Sequence, residues 1–181
     1  LHKEYRRQRQ MCIRDSLRCI PNLIIATPSD ERECRLLLST CYQANMPSAV
    51  RYPRGQGPGI NPGNDLTTVI IGKGLIRRYG KKVALLSFGH MLEVAYEIGE
   101  TIDATVTDMR FVKPIDESLI MTLAHNHDYL ISLEENAIMG GAGSAVLEVL
   151  AKQKHPPILT LGIPCLLYTS PSPRDQRGSR M

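Results

Sequence analysis

Val83-Ala-Leu-Leu-Ser-Phe88, Met91 to Ile102, and Ala104-Thr-Val-Thr-Asp-Met109 follow one another and decide the fold. The first is a short apolar run of the length and content of a buried parallel strand. In the second, Met91, Ala95, Ile98 and Ile102 recur at helical spacing and predict an amphipathic helix with that stripe on a core. The third is strand-like again. Strand, helix, strand at this spacing is a crossover unit, and right-handed crossovers build a mostly parallel sheet with helices on both faces.

Working toward the C-terminus, Lys113-Pro-Ile-Asp116 starts the next helix, where Asp116 can cap and Ile115 can staple to Ile120. Tyr129–Leu133 is a third strand, Ser144–Lys152 a helix and Ile158–Leu161 a last strand. Toward the N-terminus, Gly57, Pro58, Gly59, Pro62 and Gly63 make residues 56–65 a linker by composition. Before it, Leu23-Ile-Ile-Ala26 reads as a buried strand ending at Thr27-Pro-Ser-Asp30, where Thr27 can cap a helix running to about Gln43. In that helix Cys34, Leu37, Leu38 and Cys41 recur at core-facing spacing, and Ser48–Tyr52 forms a second strand stopped by Pro53.

The formal charge of +4 suggests nucleic acid until it is located. The first 16 residues carry five Lys/Arg against two acids and the last 17 carry three against one, so of the 22 basic and 18 acidic residues the central 148 hold 14 and 15. That near-neutral centre, with no Trp and two Phe, has neither a basic stripe nor a stacking platform for nucleic acid. No apolar run approaches the roughly 20 residues of a membrane helix. Of five cysteines, Cys19, Cys34 and Cys41 lie in the centre without CxxC or zinc spacing, which predicts reduced thiols in a cytoplasmic compartment.

The flanks carry their own signature. Met11-Cys-Ile-Arg-Asp-Ser16 back-translates as ATG TGT ATA AGA GAC AGN and Cys165-Leu-Leu-Tyr-Thr-Ser170 as TGT CTC TTA TAC ACA TCT, reverse complements over most of their length. Residues 1–16 and 165–181 are therefore expected to be translated adaptor sequence and are set aside from fold reasoning.

Arg54 is the strongest candidate for chemistry. It follows a strand at its carboxyl end, where open α/β sheets place ligands, and Pro53 and Gly55 fix a turn around it. Its planar fork suits a phosphate, although an arginine after a strand is more commonly a solvated or salt-bridged surface group. Arg51, an odd number of residues away in extended chain, should face the other way and form a structural ion pair.

Gly140-Gly-Ala-Gly-Ser144 between a strand and a helix could cradle phosphate, but Val146 replaces the third glycine of a dinucleotide fingerprint. Close packing of a helix start is the better reading. Glu134 and Glu135 end the preceding strand, where acids are solvated or cap a neighbouring helix. His125 and His127 make an isolated HxH, a poor zinc signal accounted for by the helix C-terminus, and His90 is expected to be structural.

Pro47-Ser-Ala-Val-Arg-Tyr-Pro-Arg-Gly55, Asp108-Met-Arg-Phe-Val-Lys-Pro-Ile-Asp-Glu117 and Glu134-Glu-Asn-Ala-Ile-Met-Gly-Gly-Ala-Gly-Ser144 fall in the order and spacing of one family. With Thr27-Pro-Ser-Asp-Glu31 and Ile71-Gly-Lys-Gly74, they make residues 17–164 resemble the 1-deoxy-D-xylulose-5-phosphate synthases, transketolase-like thiamine diphosphate enzymes.

The resemblance implies an α/β chain: residues 17–55 as the end of a pyrimidine-binding domain, 56–65 as linker, and 66–164 as a mostly parallel-sheet transketolase C-terminal domain. It implies a bacterial, cytoplasmic, homodimeric transferase that condenses pyruvate with glyceraldehyde 3-phosphate, feeding isoprenoid, thiamine and pyridoxal synthesis. Arg54 matches the family's ligand for the acceptor phosphate. The family's GDG…N magnesium motif, its activating glutamate and its DGxTHxG segment do not occur in the chain. A fragment inactive by itself is therefore expected, with no catalytic, thiamine diphosphate or Mg2+ residue of its own. The alternatives are another transketolase-like enzyme and a non-catalytic interaction or nucleotide-binding module.

Overall fold

The computed structural model describes residues 17–53, 57–64 and 66–164. Five strands form the main sheet: β3 (Leu75–Arg78), β4 (Val83–Phe88), β5 (Thr105–Asp108), β7 (Tyr129–Ala137) and β8 (Ile158–Ile163), in the order β3-β5-β4-β7-β8. All neighbours are parallel except β3, which runs antiparallel along the β5 edge. A smaller sheet has the order β2-β1-β6, from β1 (Ile24–Ala26), β2 (Ser48–Val50) and β6 (Phe111–Lys113). Among the described residues they are accompanied by the helices α1 (Glu31–Gln43), α2 (Met91–Ile102), α3 (Glu117–Asn126) and α4 (Ala142–Leu150).

The side-chain alternation of a strand divides the core between the faces of β4. Ala84, Leu86 and Phe88 pack in one cluster with Ile120 and Leu123 of α3 and Val146, Val149 and Leu150 of α4. Leu85 packs in another with Ala95 of α2, Val106 and Leu133. The sheet is thus covered on both faces, as the crossover reading predicts. Among the described residues, no helix is long and apolar enough to cross a membrane.

Several local expectations need correction. In α2 the buried residues are Ala95 and Gly99, whereas Ile98 and Ile102 are 38% and 48% exposed. The cause is close approach: a Cβ on Gly99 would run into the Val106 side chain, so the helix rests on its smallest residues and its isoleucines fall to the flank. In α1, Leu37 and Cys41 are buried, but Leu38 is 48% exposed and Cys34 only half-buried. The α1 cap is Asp30 and not Thr27. Asp30 is extended and accepts the Glu33 amide at 2.8 Å, while Thr27 is held at the end of β1 by donating its own amide to the Arg110 carbonyl at 2.7 Å.

Strands β3 and β6 are not legible as strands in the sequence, because both are short and defined by partners far along the chain. β6 pairs antiparallel with β1, placing Lys113 opposite Ile25 and Phe111 opposite Ala26. A strand from beyond the linker therefore completes the first sheet and covers the β1 edge. β7 runs four residues past Leu133, α4 begins two residues before Ser144, and β2 stops at Val50, two residues short of Tyr52.

Asp116 caps α3 as expected and does more. Its buried carboxylate accepts hydrogen bonds from the amides of Leu119 and Gly74, both at 3.1 Å, from Ser118 Oγ at 2.6 Å and from Lys73 Nζ at 3.1 Å. Burial raises the carboxyl's pKa, yet these donors, Ser118 first, outweigh it and hold the group below the usual carboxylate range. A depressed folded value stabilises the protein above the unfolded pKa of about 3.9, and the benefit disappears as pH falls through the folded one. Asp116→Ala should cost about 2 to 3 kcal/mol at pH 7, from the lost cap and the stranded donors. The gap to wild type should narrow as pH falls through the depressed folded value. Urea unfolding at pH 7 and pH 3 checks both, and an equal gap at the two values would refute the assignment.

Candidate functional site

Arg54, with Gly55 and Gln56, lies outside the described residues, but the strand that leads to it is placed. β2 runs parallel to β1 as an edge strand, and the ladder continues one step further, the Arg51 amide donating to the Ala26 carbonyl at 2.9 Å. Arg51 then reaches across to the main sheet. Its Nη2 donates to the Glu135 carbonyl at 3.2 Å, and its Nη1 lies 3.6 Å from Glu135 Oε2. The ion pair expected of Arg51 is present, and Glu135 is its partner. His90, at the turn after β4 where Gly89 takes φ +70°, brings Nδ1 within 3.9 Å of the same Glu135 oxygen. Arg51, Glu135 and His90 thus gather the carboxyl ends of β2, β7 and β4.

Glu134 turns the other way. It is 3% exposed, and its two oxygens accept the amides of Ala142 and Gly143, each at 2.8 Å, at the start of α4. A carboxylate there satisfies orphan donors and meets the positive end of the helix dipole. The Gly140 amide donates to Ser144 Oγ at 3.0 Å and that of Gly141 to the Ile138 carbonyl at 3.4 Å. Every N–H of the glycine turn is therefore engaged internally. A Cβ at Gly141 would meet the Ala137 carbonyl and the Glu134 carboxylate, and one at Gly143 would lie 2.9 Å from Ser132 Oγ. The glycines serve close packing and leave no cradle for phosphate.

A second polar cluster was missed by sequence reasoning at the level of residues. Glu33 Oε1 accepts Arg77 Nη2 at 2.7 Å and Arg110 Nη2 at 2.6 Å. Asp108 Oδ2 accepts Arg77 Nη2 at 3.1 Å and Ser29 Oγ at 2.9 Å, and its Oδ1 accepts the Arg110 amide at 3.2 Å. Burial, reinforced by the charge of Glu33, pushes the Asp108 carboxyl up against the opposing pull of Arg77 and Ser29. Arg110 takes φ +56°, an uncommon conformation for a residue with a side chain. The only sequence signal was that Asp108 and Arg110 both fall in one quoted segment and Glu33 just after another.

The remaining candidates are structural. His127 Nδ1 faces the Leu123 carbonyl at 2.9 Å and Nε2 faces Thr105 Oγ1 at 2.7 Å, so both ring nitrogens are engaged; His125 is exposed near the end of α3. Cys34 and Cys41 are free thiols. Among the described residues no group of three or more His, Cys, Asp and Glu could hold a metal ion. The amides of Gly140, Gly141, Ala142 and Gly143 are already taken, so the glycine turn offers no site for a diphosphate.

The transketolase C-terminal domain family matches residues 72–177. The chain is 62% identical over 148 residues to a 1-deoxy-D-xylulose-5-phosphate synthase of Neisseria meningitidis serogroup C (strain 053442), covering 81% of this chain and 23% of that protein. The enzymes of the same name from Photobacterium profundum and Nitrosomonas europaea are 56% and 54% identical over 149 residues, 82% of this chain and 24% of each relative. The chain therefore spans about a quarter of the length of the curated relatives it matches. A solved structure described as a split gene transketolase, an inactive beta4 tetramer, superposes with a TM-score of 0.72 at 28% identity, covering 84% of this chain and 52% of that one.

Proposed function

The chain belongs to the family of transketolase C-terminal domains, and from that premise we propose that it forms part of a 1-deoxy-D-xylulose-5-phosphate synthase. That enzyme condenses pyruvate with glyceraldehyde 3-phosphate, releasing carbon dioxide. The observation that carries the reading is 54 to 62% identity, over more than four-fifths of the chain, with curated enzymes of that name. Residues 17–55 supply the end of the pyrimidine-binding domain and residues 66–164 the C-terminal domain, joined through residues 56–65. The intact protein is a cytoplasmic bacterial homodimer.

Thiamine diphosphate carries the bond chemistry in such an enzyme. It and its Mg2+ are held by parts of the enzyme other than the described residues. The share of this chain is the acceptor. Arg54, just beyond the carboxyl end of β2, pairs its guanidinium with the phosphate of glyceraldehyde 3-phosphate and turns that remote binding energy into alignment of the aldehyde. A nucleotide-binding module is the weaker reading, since Glu134 occupies the amides a nucleotide phosphate would need.

The test is a chimaera. Residues 17–164 replace the matching segment of the Neisseria meningitidis enzyme, and the product should convert pyruvate and glyceraldehyde 3-phosphate to 1-deoxy-D-xylulose 5-phosphate. The 181-residue chain alone should show no turnover. A folded chimaera that takes up thiamine diphosphate but makes no product would overturn the reading, and turnover by the isolated chain would overturn the division of labour.

A further inference from the structure

We infer that the chain between the two sheets is held as a strap along α1, with an outer catch at Glu31 that opens while an inner catch at Thr40 stays shut. Closed, residues 57–64 lie on the helix. Open, they are slack, and residues 66–71 still keep the sheets joined.

By composition this segment is a free linker, yet α1 fastens its backbone at regular intervals. Glu31, Arg35, Ser39 and Gln43 recur every four residues and so share one face of the helix. The Glu31 carboxylate accepts the amides of Gly59 and Ile60 at 2.9 and 3.1 Å. Arg35 Nη2 donates to the Asn64 carbonyl at 3.0 Å. Ser39 Oγ and Gln43 Nε2 both donate to the Leu66 carbonyl, at 3.0 and 3.4 Å. Beside them, Thr40 Oγ1 accepts the Val69 amide at 2.9 Å. The connecting chain thus follows the helix from its first turn toward its last.

The glycines that suggest freedom are the ones that permit docking. A Cβ on Gly57 would collide with the Glu31 carboxylate, so a side chain there would keep the segment off the helix or push Glu31 aside. Gly59 takes φ +81°, a conformation that costs glycine nothing, where its amide meets Glu31. The Glu31 carboxyl is held below the usual carboxylate range, by its own amide first and then by those of Gly59 and Ile60, against a small opposing effect of burial.

The two catches differ in burial, and that difference makes the strap open in steps. The hydrogen bonds of Glu31 and Arg35 to the segment are exposed, and water competes for them. Ser39 and Thr40 are 8% and 3% exposed, and next to them Val69 and Ile71 pack on the cluster of Leu37, Cys41 and Phe111. Pulling the Val69 amide from Thr40 therefore disturbs the core of the small sheet. Local openings range from nearly free to as costly as global unfolding, and burial of this kind sets their order.

Amide hydrogen exchange of the 181-residue chain, resolved by residue, tests the inference. In the wild type Gly59 and Ile60 should exchange about tenfold more slowly than in unstructured chain, and Val69 about a hundredfold more slowly again. Glu31→Ala should bring Gly59 and Ile60 to the unstructured rate, with Val69 within about threefold of wild type and the Tm within about 2 °C. Thr40→Val keeps the shape of the side chain and should speed Val69 by about tenfold or more while lowering the Tm.

Gly57→Ala is the sharper variant, because the two readings give opposite signs. On a free linker it stiffens the chain, leaving exchange at Gly59 and Ile60 unchanged or slower. On the strap the new Cβ displaces the far end of the Glu31 side chain, and the same two amides should exchange faster, by about the factor that Glu31→Ala gives.

If Gly59 and Ile60 already exchange at the unstructured rate in the wild type, there is no outer catch and the inference is overturned. If Gly57→Ala leaves them as slow as before, Glu31 is not what holds them, with the same result. If Glu31→Ala speeds Val69 as much as Gly59 and lowers the Tm, the strap opens in one piece and the two catches do not exist.

Discussion

Arg54→Ala in the chimaeric synthase is expected to lower kcat/KM for glyceraldehyde 3-phosphate by about 2 to 4 kcal/mol, roughly 30- to 900-fold, the effect of removing a charge-assisted pair from a partly dry site. Arg54→Lys should recover only part of this, because a point charge returns without the fork that matches two phosphate oxygens. An unphosphorylated aldehyde should suffer much less, since the removed group has no partner on it. The ratio of kcat/KM for the two acceptors, in wild type and variant, is therefore the deciding measurement. An unchanged ratio would make Arg54 a structural residue and leave the acceptor without a ligand in this chain.

How much of this was legible beforehand depends on whether the signal was local. Val83–Phe88 is a strand over the expected residues, and Asp116 is the cap its spacing implied, because a buried apolar run and a capping carboxylate are decided within a few residues. Glu134 was left between solvent and a helix terminus, and the structure places it on the terminus. Thr27 failed as a cap for a non-local reason: its backbone belongs to the strand that meets Arg110, 83 residues away. Ile98 and Ile102 failed because helical spacing gives a stripe but not its centre, which Gly99 took by allowing close contact with Val106. β6 was invisible because three residues carry no period. Only pairing with Ile25 and Ala26 makes them a strand. The site shows the same division: Arg51 was readable as an ion-pair former from strand alternation, while its partner Glu135 lies 84 residues away and could not be read.

Glu33→Ala is expected to destabilise the 181-residue chain by about 3 to 5 kcal/mol, as does removal of one member of a buried ionic group. The Glu33, Arg77 and Arg110 side chains are 6%, 29% and 14% exposed and Asp108 is fully buried, so little solvent screens the cluster. Its members are incompletely paired, since Glu33 Oε2, Arg77 Nε and Arg110 Nε lack partners. Desolvation therefore offsets much of the attraction, and the cluster is poorly suited to add net stability. What it does add is geometry. Glu33 comes from α1, Arg77 from β3, Asp108 from the end of β5 and Arg110 from the turn into β6, so one carboxylate ties the small sheet to the large one. Removing that carboxylate leaves Arg110 charged, nearly buried and without its acid, whereas Arg77 keeps Asp108. The double variant Glu33→Ala/Arg110→Met should accordingly be more stable than Glu33→Ala alone, although it has lost one more polar group. Urea unfolding of the three proteins decides the matter. A loss under about 1 kcal/mol for Glu33→Ala, typical of an exposed pair, would mean that the cluster is solvated and that the ladder between β1 and β6 joins the sheets unaided. A large loss not relieved by Arg110→Met would place the cost in packing around α1 and not in the stranded guanidinium.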